Sequence, residues 1–99
     1  MKLQQGDVIL ESVNYEVDGE KLDHLILAEG ESTGHNHQIV SGLGQLIMID
    51  KIMHLQIFSE TALLKHEEHK SINIPKGNWK IKIVREYDPF EKEIRRVAD

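Results

Sequence analysis

Asn78-Trp79-Lys80-Ile81-Lys82-Ile83-Val84-Arg85-Glu86 decides the class of this fold. Apolar and charged side chains alternate with a period of two, the signature of a β-strand with one covered and one solvated face. The pattern predicts that Trp79, Ile81 and Ile83 are buried and that Lys80 and Lys82 meet water. Working back along the chain, Ile72 and Ile74 alternate in the same way, and Pro75-Lys76-Gly77 reads as a turn. Gln45 to Phe58 is a run of Ile, Leu and Met broken only by Asp50-Lys51, which predicts two strands turning near Asp50. Met48, Met53 and Leu55 within it are expected as core filler. Ser59-Glu60-Thr61 interrupts the pattern, with a short extended piece after it from Ala62 to His66.

The first half follows the same rule. Asp7 to Val17 is rich in Val and Ile and ends in Asp18-Gly19, a dipeptide suited to a two-residue hairpin, so Glu20 to Ala28 is expected to return as its partner strand. Glu29 to Gly34 has loop composition, His35 to Val40 reads as a strand, and Ser41-Gly42-Leu43-Gly44 as a turn. Asp88-Pro89 stops the last clear strand. Beyond it, Ile94 to Val97 is expected to extend a hairpin, although Phe90, Ile94 and Val97 also have helical spacing. About eight short strands in 99 residues predict one all-β domain over 1–99, a small antiparallel barrel or a double-sheet roll. Such folds protect edges by closing or by pairing between subunits, so a homo-oligomer is expected.

Composition removes whole classes of function. A net charge of −5 disfavours a nucleic-acid groove, which needs concentrated Lys and Arg. No apolar run approaches a membrane span, and the first residues carry no signal-peptide core. With no cysteine, disulfides, thiolate metal sites and cysteine nucleophiles are excluded. The expected location is cytoplasmic. Arg85, Tyr87, Arg95 and Arg96 can make an anion patch or pair with neighbouring glutamates.

Six histidines remain, four of them in two tight pairs. In Gly34-His35-Asn36-His37 the imidazoles are two residues apart, so on a strand they share a face and can chelate one ion. His66-Glu67-Glu68-His69 resembles the zinc-protease pattern His-Glu-x-x-His with one residue missing. The shorter spacing and non-helical context exclude that motif. A turn can still gather two of these side chains, with Glu67 or Glu68 as an oxygen ligand or a general base. Each pair alone is also what a solvated loop looks like. Together, about thirty residues apart, they can meet at one end of a β-fold. The expected ligands are His35, His37 and His69, followed by His66, and the expected cofactor is a divalent ion such as Zn, Fe, Mn or Ni. His24 and His54 lie in apolar surroundings and are expected to be hydrogen-bonded structural histidines.

The pair His35 and His37, with a later histidine near Pro75-Lys76-Gly77, loosely resembles the cupins. That resemblance implies a metal held at a barrel mouth. The glutamate that follows the pair in cupins is replaced by Gln38-Ile39-Val40-Ser41, and the order of the Pro-x-Gly turn is reversed. Over its last two-thirds the chain is also similar to small uncharacterised bacterial and phage proteins. They share the Gly-His-x-His and His-x-Glu-His segments and a tail like Arg85-Glu86-Tyr87-Asp88-Pro89 followed by Arg95-Arg96-Val97-Ala98-Asp99. The expected function is therefore a histidine-rich metal site that binds or acts on a small molecule. The alternatives are a non-enzymatic module working through sheet edges or oligomerisation, and a metal-free site with one histidine as acid and base.

Overall fold

A computed structural model describes residues 1–29 and 34–84, and these residues form an all-β, antiparallel, eight-stranded sheet. The strands are β1 (Lys2–Gln5), β2 (Val8–Ser12), β3 (Glu20–Lys21), β4 (Ile26–Glu29), β5 (Asn36–Ser41), β6 (Gly44–Ile49), β7 (Ile52–Lys65) and β8 (Ile72–Ile83). The hydrogen-bonded order is β1-β2-β8-β7-β5-β4, with β6 also on β7 and β3 on β6. No helix among the described residues is long and apolar enough to cross a membrane.

The expected turn at Asp50-Lys51 is present. Both residues have positive φ, 49° and 68°, as a two-residue hairpin between β6 and β7 requires. The alternation around Trp79 also holds, since Trp79 and Ile81 are buried with Val8, Leu10, Leu46, Leu55, Leu64 and Ile74. Ile83 departs from expectation and is 37% exposed. It pairs with Val8 at the last position of β8, where the described sheet ends and cover runs out.

Three turn assignments are corrected. Asp18-Gly19 does not fold Glu20 back onto the preceding strand, because Glu20 and Lys21 pair with Met48 and Ile47 of β6. Gly19 is needed for close approach: a Cβ there would lie 2.3 Å from the Met48 carbonyl oxygen. Ser59-Glu60-Thr61 does not end a strand, since β7 runs through it with a register shift between Ile57 and Thr61. Opposite that shift, Pro75-Lys76-Gly77 makes no turn and stays in β8. Proline lacks the ladder donor and is tolerated where a bulge already breaks the ladder, and Gly77 takes φ 139° there. Residues 30–33 and the tail from Arg85 onward, with its expected hairpin and arginine patch, lie outside the described residues.

A hairpin at the start of the chain sits beside the site. Gln5 pairs with Val8 across Gly6-Asp7, with Gly6 at φ 57°. Although β1 is three strands from β7 in the sheet, Gln5 reaches the backbone of Leu64 and Lys70. The sheet therefore curls enough to bring the β1–β2 turn over the far end of β7.

Candidate functional site

The register of β5 on β7 dictates where the histidines meet. Gln38 pairs with Lys65, so the preceding residue on β5, His37, stands opposite the following residue after β7, His66. Their ring centroids are 4.2 Å apart. His69, in the loop between β7 and β8, lies 4.7 Å from His66 and 5.9 Å from His37. His35 lies 6.0 Å from His66. All four histidines of the two sequence pairs thus gather at one end of the sheet.

Gln5 organises the cluster. Its side chain is 2% exposed, and its Nε2 donates to the carbonyls of Leu64 at 3.0 Å and Lys70 at 2.9 Å. Two carbonyl acceptors on one amide nitrogen fix the amide orientation, which leaves Oε1 facing His37 Nδ1 at 2.8 Å. Because Oε1 can only accept, His37 Nδ1 carries a proton and donates it. The other ring nitrogen, Nε2, faces Asp7 Oδ1 at 3.2 Å. Burial, followed by the neighbouring His66, lowers the His37 pKa against the opposing pull of Asp7. In neutral His37 the Nε2 lone pair therefore faces a carboxylate oxygen, whereas the protonated ring donates to it.

The remaining members sit closer to water. His69 packs against Gly6 so closely that a Cβ there would lie 2.5 Å from its Nε2. His66 is buried, and its Nδ1 accepts the Glu68 backbone N–H at 3.0 Å. Glu68 Oε1 lies 3.5 Å from His35 Nδ1. Glu67 Oε2 accepts the Asn36 N–H at 3.1 Å, tying the loop to β5. Backbone N–H donation, first from Glu67 itself and then from Asn36, holds the Glu67 carboxyl below its ordinary range. Among the described residues no three carboxylate or imidazole side chains already converge on a common metal position.

The chain matches a domain of unknown function, DUF8820, over residues 4–84. It belongs to the DUF8820 family. No curated protein and no solved structure matches it. The DUF8820 match spans both histidine pairs and the Gln5-Gly6-Asp7 turn, so every residue of the cluster lies inside the family domain.

Asp7 and Gln5 were missed from sequence. The only signal was Gly6-Asp7, a turn dipeptide that places Asp7 at a strand end, and nothing local tied it to residues thirty or sixty positions away. Of the other two histidines, His54 is the hydrogen-bonded structural group expected, whereas His24, expected in apolar surroundings, lies outside the strands. His54 is 3% exposed, with Nδ1 toward the Ile52 carbonyl and Nε2 at 2.7 Å from the Tyr15 hydroxyl. His24 is exposed and accepts the Ile26 N–H.

Proposed function

We propose that this domain binds a divalent transition metal at the histidine end of its sheet and holds a small-molecule ligand there. The observation that carries the reading is the gap between His37 Nε2 and Asp7 Oδ1. Metal–ligand bonds of about 2.0–2.2 Å set neighbouring ligand atoms roughly 3.0–3.5 Å apart, whether tetrahedral or octahedral. The 3.2 Å separation falls in that range, and a cation there turns a repulsive pair of acceptors into two bonds. Gln5 supports this as the hydrogen-bond partner that a ligating imidazole generally has on its other nitrogen.

His69 beside Gly6 is the nearest exposed imidazole and completes the set by turning its ring, with His35 next. Two imidazoles and a carboxylate suit Zn, Fe(II), Mn or Ni. From the cupin resemblance this reading keeps only a metal held through a His-x-His pair. On this reading the protein is of bacterial or phage origin and works in the cytoplasm. If the site is catalytic, the base is Glu67 or Glu68, of which Glu67 is tied to the Asn36 N–H and Glu68 faces the His35 ring.

Calorimetric titration of the untagged protein with Zn(II), Co(II), Ni(II) and Mn(II), with thermal melts, tests it. One equivalent should bind, and a metal held only by the native state should add about 2.7 kcal/mol at a hundredfold excess over Kd. His37→Ala should remove the response while leaving the metal-free fold largely intact. The effect should fade in acid, because protons compete with the metal for the imidazole nitrogens. The absence of binding and of stabilisation by any of these ions would end the proposal.

A second reading rests on a different observation. Val40, Leu43 and Phe58 are large apolar side chains left exposed, and Phe58 N–H donates to the Leu43 carbonyl at 2.8 Å, which places those two together. A module that self-associates through this corner predicts a dimer in sedimentation that Phe58→Ser returns to monomer. A wild-type monomer at all concentrations removes this reading.

A further inference from the structure

Partners directly opposite one another on antiparallel strands share a face. The register therefore lines up one row across the sheet: Lys21 on β3, Ile47 on β6, His54 on β7, Lys80 on β8, Glu11 on β2 and Lys2 on β1. Leu55 and Trp79, one residue further along and one residue back, are in the core, so this row points away from it. Residues 13–19, between β2 and β3, cross this face. The Val13 N–H donates to the Asn78 carbonyl at 3.0 Å, Val17 is buried, and Gly19 is pressed on the Met48 carbonyl. The crossing segment holds Tyr15 against His54, with the two rings edge to face.

His54 has one neutral tautomer there. Its Nδ1 lies 3.1 Å from the Ile52 carbonyl oxygen, which only accepts, so the proton sits on Nδ1. Nε2 keeps its lone pair, and the Tyr15 hydroxyl donates to it at 2.7 Å. His54 is 3% exposed and Tyr15 is 45% exposed. The pair thus joins a buried, oriented base to a tyrosine at the surface. Lys80 is the next charge in the row, with Glu11 beyond it and Lys2 3.9 Å from Glu11. Lys21 lies on the far side of Ile47, and Glu16 and Asp18 on the crossing segment are exposed.

We propose that Tyr15 is a nucleophile with His54 as its general base, a covalent site for activated acyl groups that is independent of any metal. The Tyr15 Oη attacks the acyl carbonyl carbon while its proton passes to His54 Nε2. The bond to the leaving group then breaks, and the leaving group departs with the electron pair and takes the proton from His54. An O-acyl tyrosine and a neutral imidazole remain. Throughout, Nδ1–H stays on the Ile52 carbonyl, which keeps Nε2 aimed at the hydroxyl. Attack places one negative charge on the carbonyl oxygen, and Lys80 supplies the neighbouring positive charge.

The test treats the full chain with N-acetylimidazole in the presence of EDTA, with free N-acetyltyrosinamide in the same solution as reference. Peptide mass spectrometry reads acetylation of Tyr15. At pH 7.5 Tyr15 should react at least about tenfold faster than the reference, since a positioned general base contributes about 10²–10⁴-fold. From pH 7 to 9 that ratio should fall about tenfold per unit, because the reference reacts through its phenolate, whereas Tyr15 hands its proton to His54. His54→Phe, once circular dichroism shows it folded, should bring Tyr15 to within about twofold of the reference. If that variant does not fold, the pH series on wild type decides alone. A wild-type ratio of one or less, or a ratio that does not change with pH, overturns the proposal. So does a folded His54→Phe protein acetylated at Tyr15 as fast as wild type.

Discussion

Replacing Gln5 with leucine removes one side chain that three separate segments share. Its amide joins β1 to the end of β7 through Leu64, to the β7–β8 loop through Lys70, and to β5 through His37 Nδ1. Leucine fills a similar volume and keeps none of these bonds. The Lys70 carbonyl lies in an exposed residue, where water replaces the lost donor. The His37 Nδ1–H belongs to a buried residue and stays unpaired, and the Leu64 carbonyl, inside β7, loses its side-chain donor. Each buried group left unsatisfied costs about 1–3 kcal/mol, so Gln5→Leu should lose roughly 2–4 kcal/mol. For a domain of this size that corresponds to a fall in Tm of roughly 10–25 °C. Thermal melts with urea titrations provide the measurement, and Gln4→Leu serves as control. Gln4 is exposed and bonds only the Gly6 carbonyl, so its change should stay within about 0.5 kcal/mol. Any folded Gln5→Leu protein should also bind metal about 10–100-fold more weakly, because the partner that orients His37 is gone. A Gln5→Leu variant that melts with Gln4→Leu would refute the argument that this amide organises the site.

Four further outcomes are expected. Trp79→Ala should cost about 3–5 kcal/mol and unfold much of the protein at 37 °C, because the indole is buried and its Nε1–H donates to the Pro75 carbonyl. An unchanged melting temperature would contradict that burial. Gly6→Ala should cost about 1–2 kcal/mol through its positive φ and should weaken metal uptake by displacing the His69 ring, read by melts and Co(II) titration. Tyr15→Phe should lose about 1 kcal/mol in a urea titration by leaving His54 Nε2 unpaired, with no change in metal response. The metal-free protein should weaken in acid: His37 has its pKa lowered by folding, so its contribution is full above the ordinary value of 6.5 and is lost as pH falls through the depressed folded value. Melts across pH 7.5 to 4.5 should show this loss, and it should shrink in His37→Gln.

Much of the fold was legible because its signals are local. The Trp79 alternation, the Asp50-Lys51 turn and the absence of any sustained helical period each lie within a few residues. The failures share one cause. Asp18-Gly19, Ser59-Glu60-Thr61 and Pro75-Lys76-Gly77 have turn chemistry, yet their conformation is set by the strand lying opposite. Gly19 is pressed on Met48, and Pro75 occupies a bulge that β7 also shares. Turn residues and bulge residues are the same residues, and only pairing separates the two. At the site, the gathering of His35, His37, His66 and His69 followed from spacing alone. Their inequality did not, because a tautomer is set by a backbone donor or a side-chain acceptor from elsewhere in the chain.

The placement of these groups also bears on what kind of metal site the proposed reading would make at this end of the sheet. Structural zinc sites are closed, four-coordinate and buried, and the domain depends on them to fold. Here the apolar core from Val8 to Ile81 is complete without any contribution from the cluster. The Asp7 side chain is about half exposed, 49%, and His69 is exposed, whereas His37 is buried. One fixed imidazole, one half-exposed carboxylate and one solvent-facing imidazole would leave a bound ion coordination positions that exchange with water. Asp7, His37 and His69 stand about thirty residues apart in sequence, so a metal joining them still closes two long loops and adds stability as a secondary effect. The order of effects follows: the domain should be folded before it meets metal, stiffen at one end when it does, and keep a face of the ion open. Hydrogen exchange should then show protection gained on Co(II) binding at Gly6 to Val8, Asn36 to Gln38 and His66 to Lys70, with the amides of β6 and the centre of β8 unchanged. Protection gained uniformly across the sheet would instead mark the metal as a folding staple, and the case for an exchangeable ligand position would fall with it.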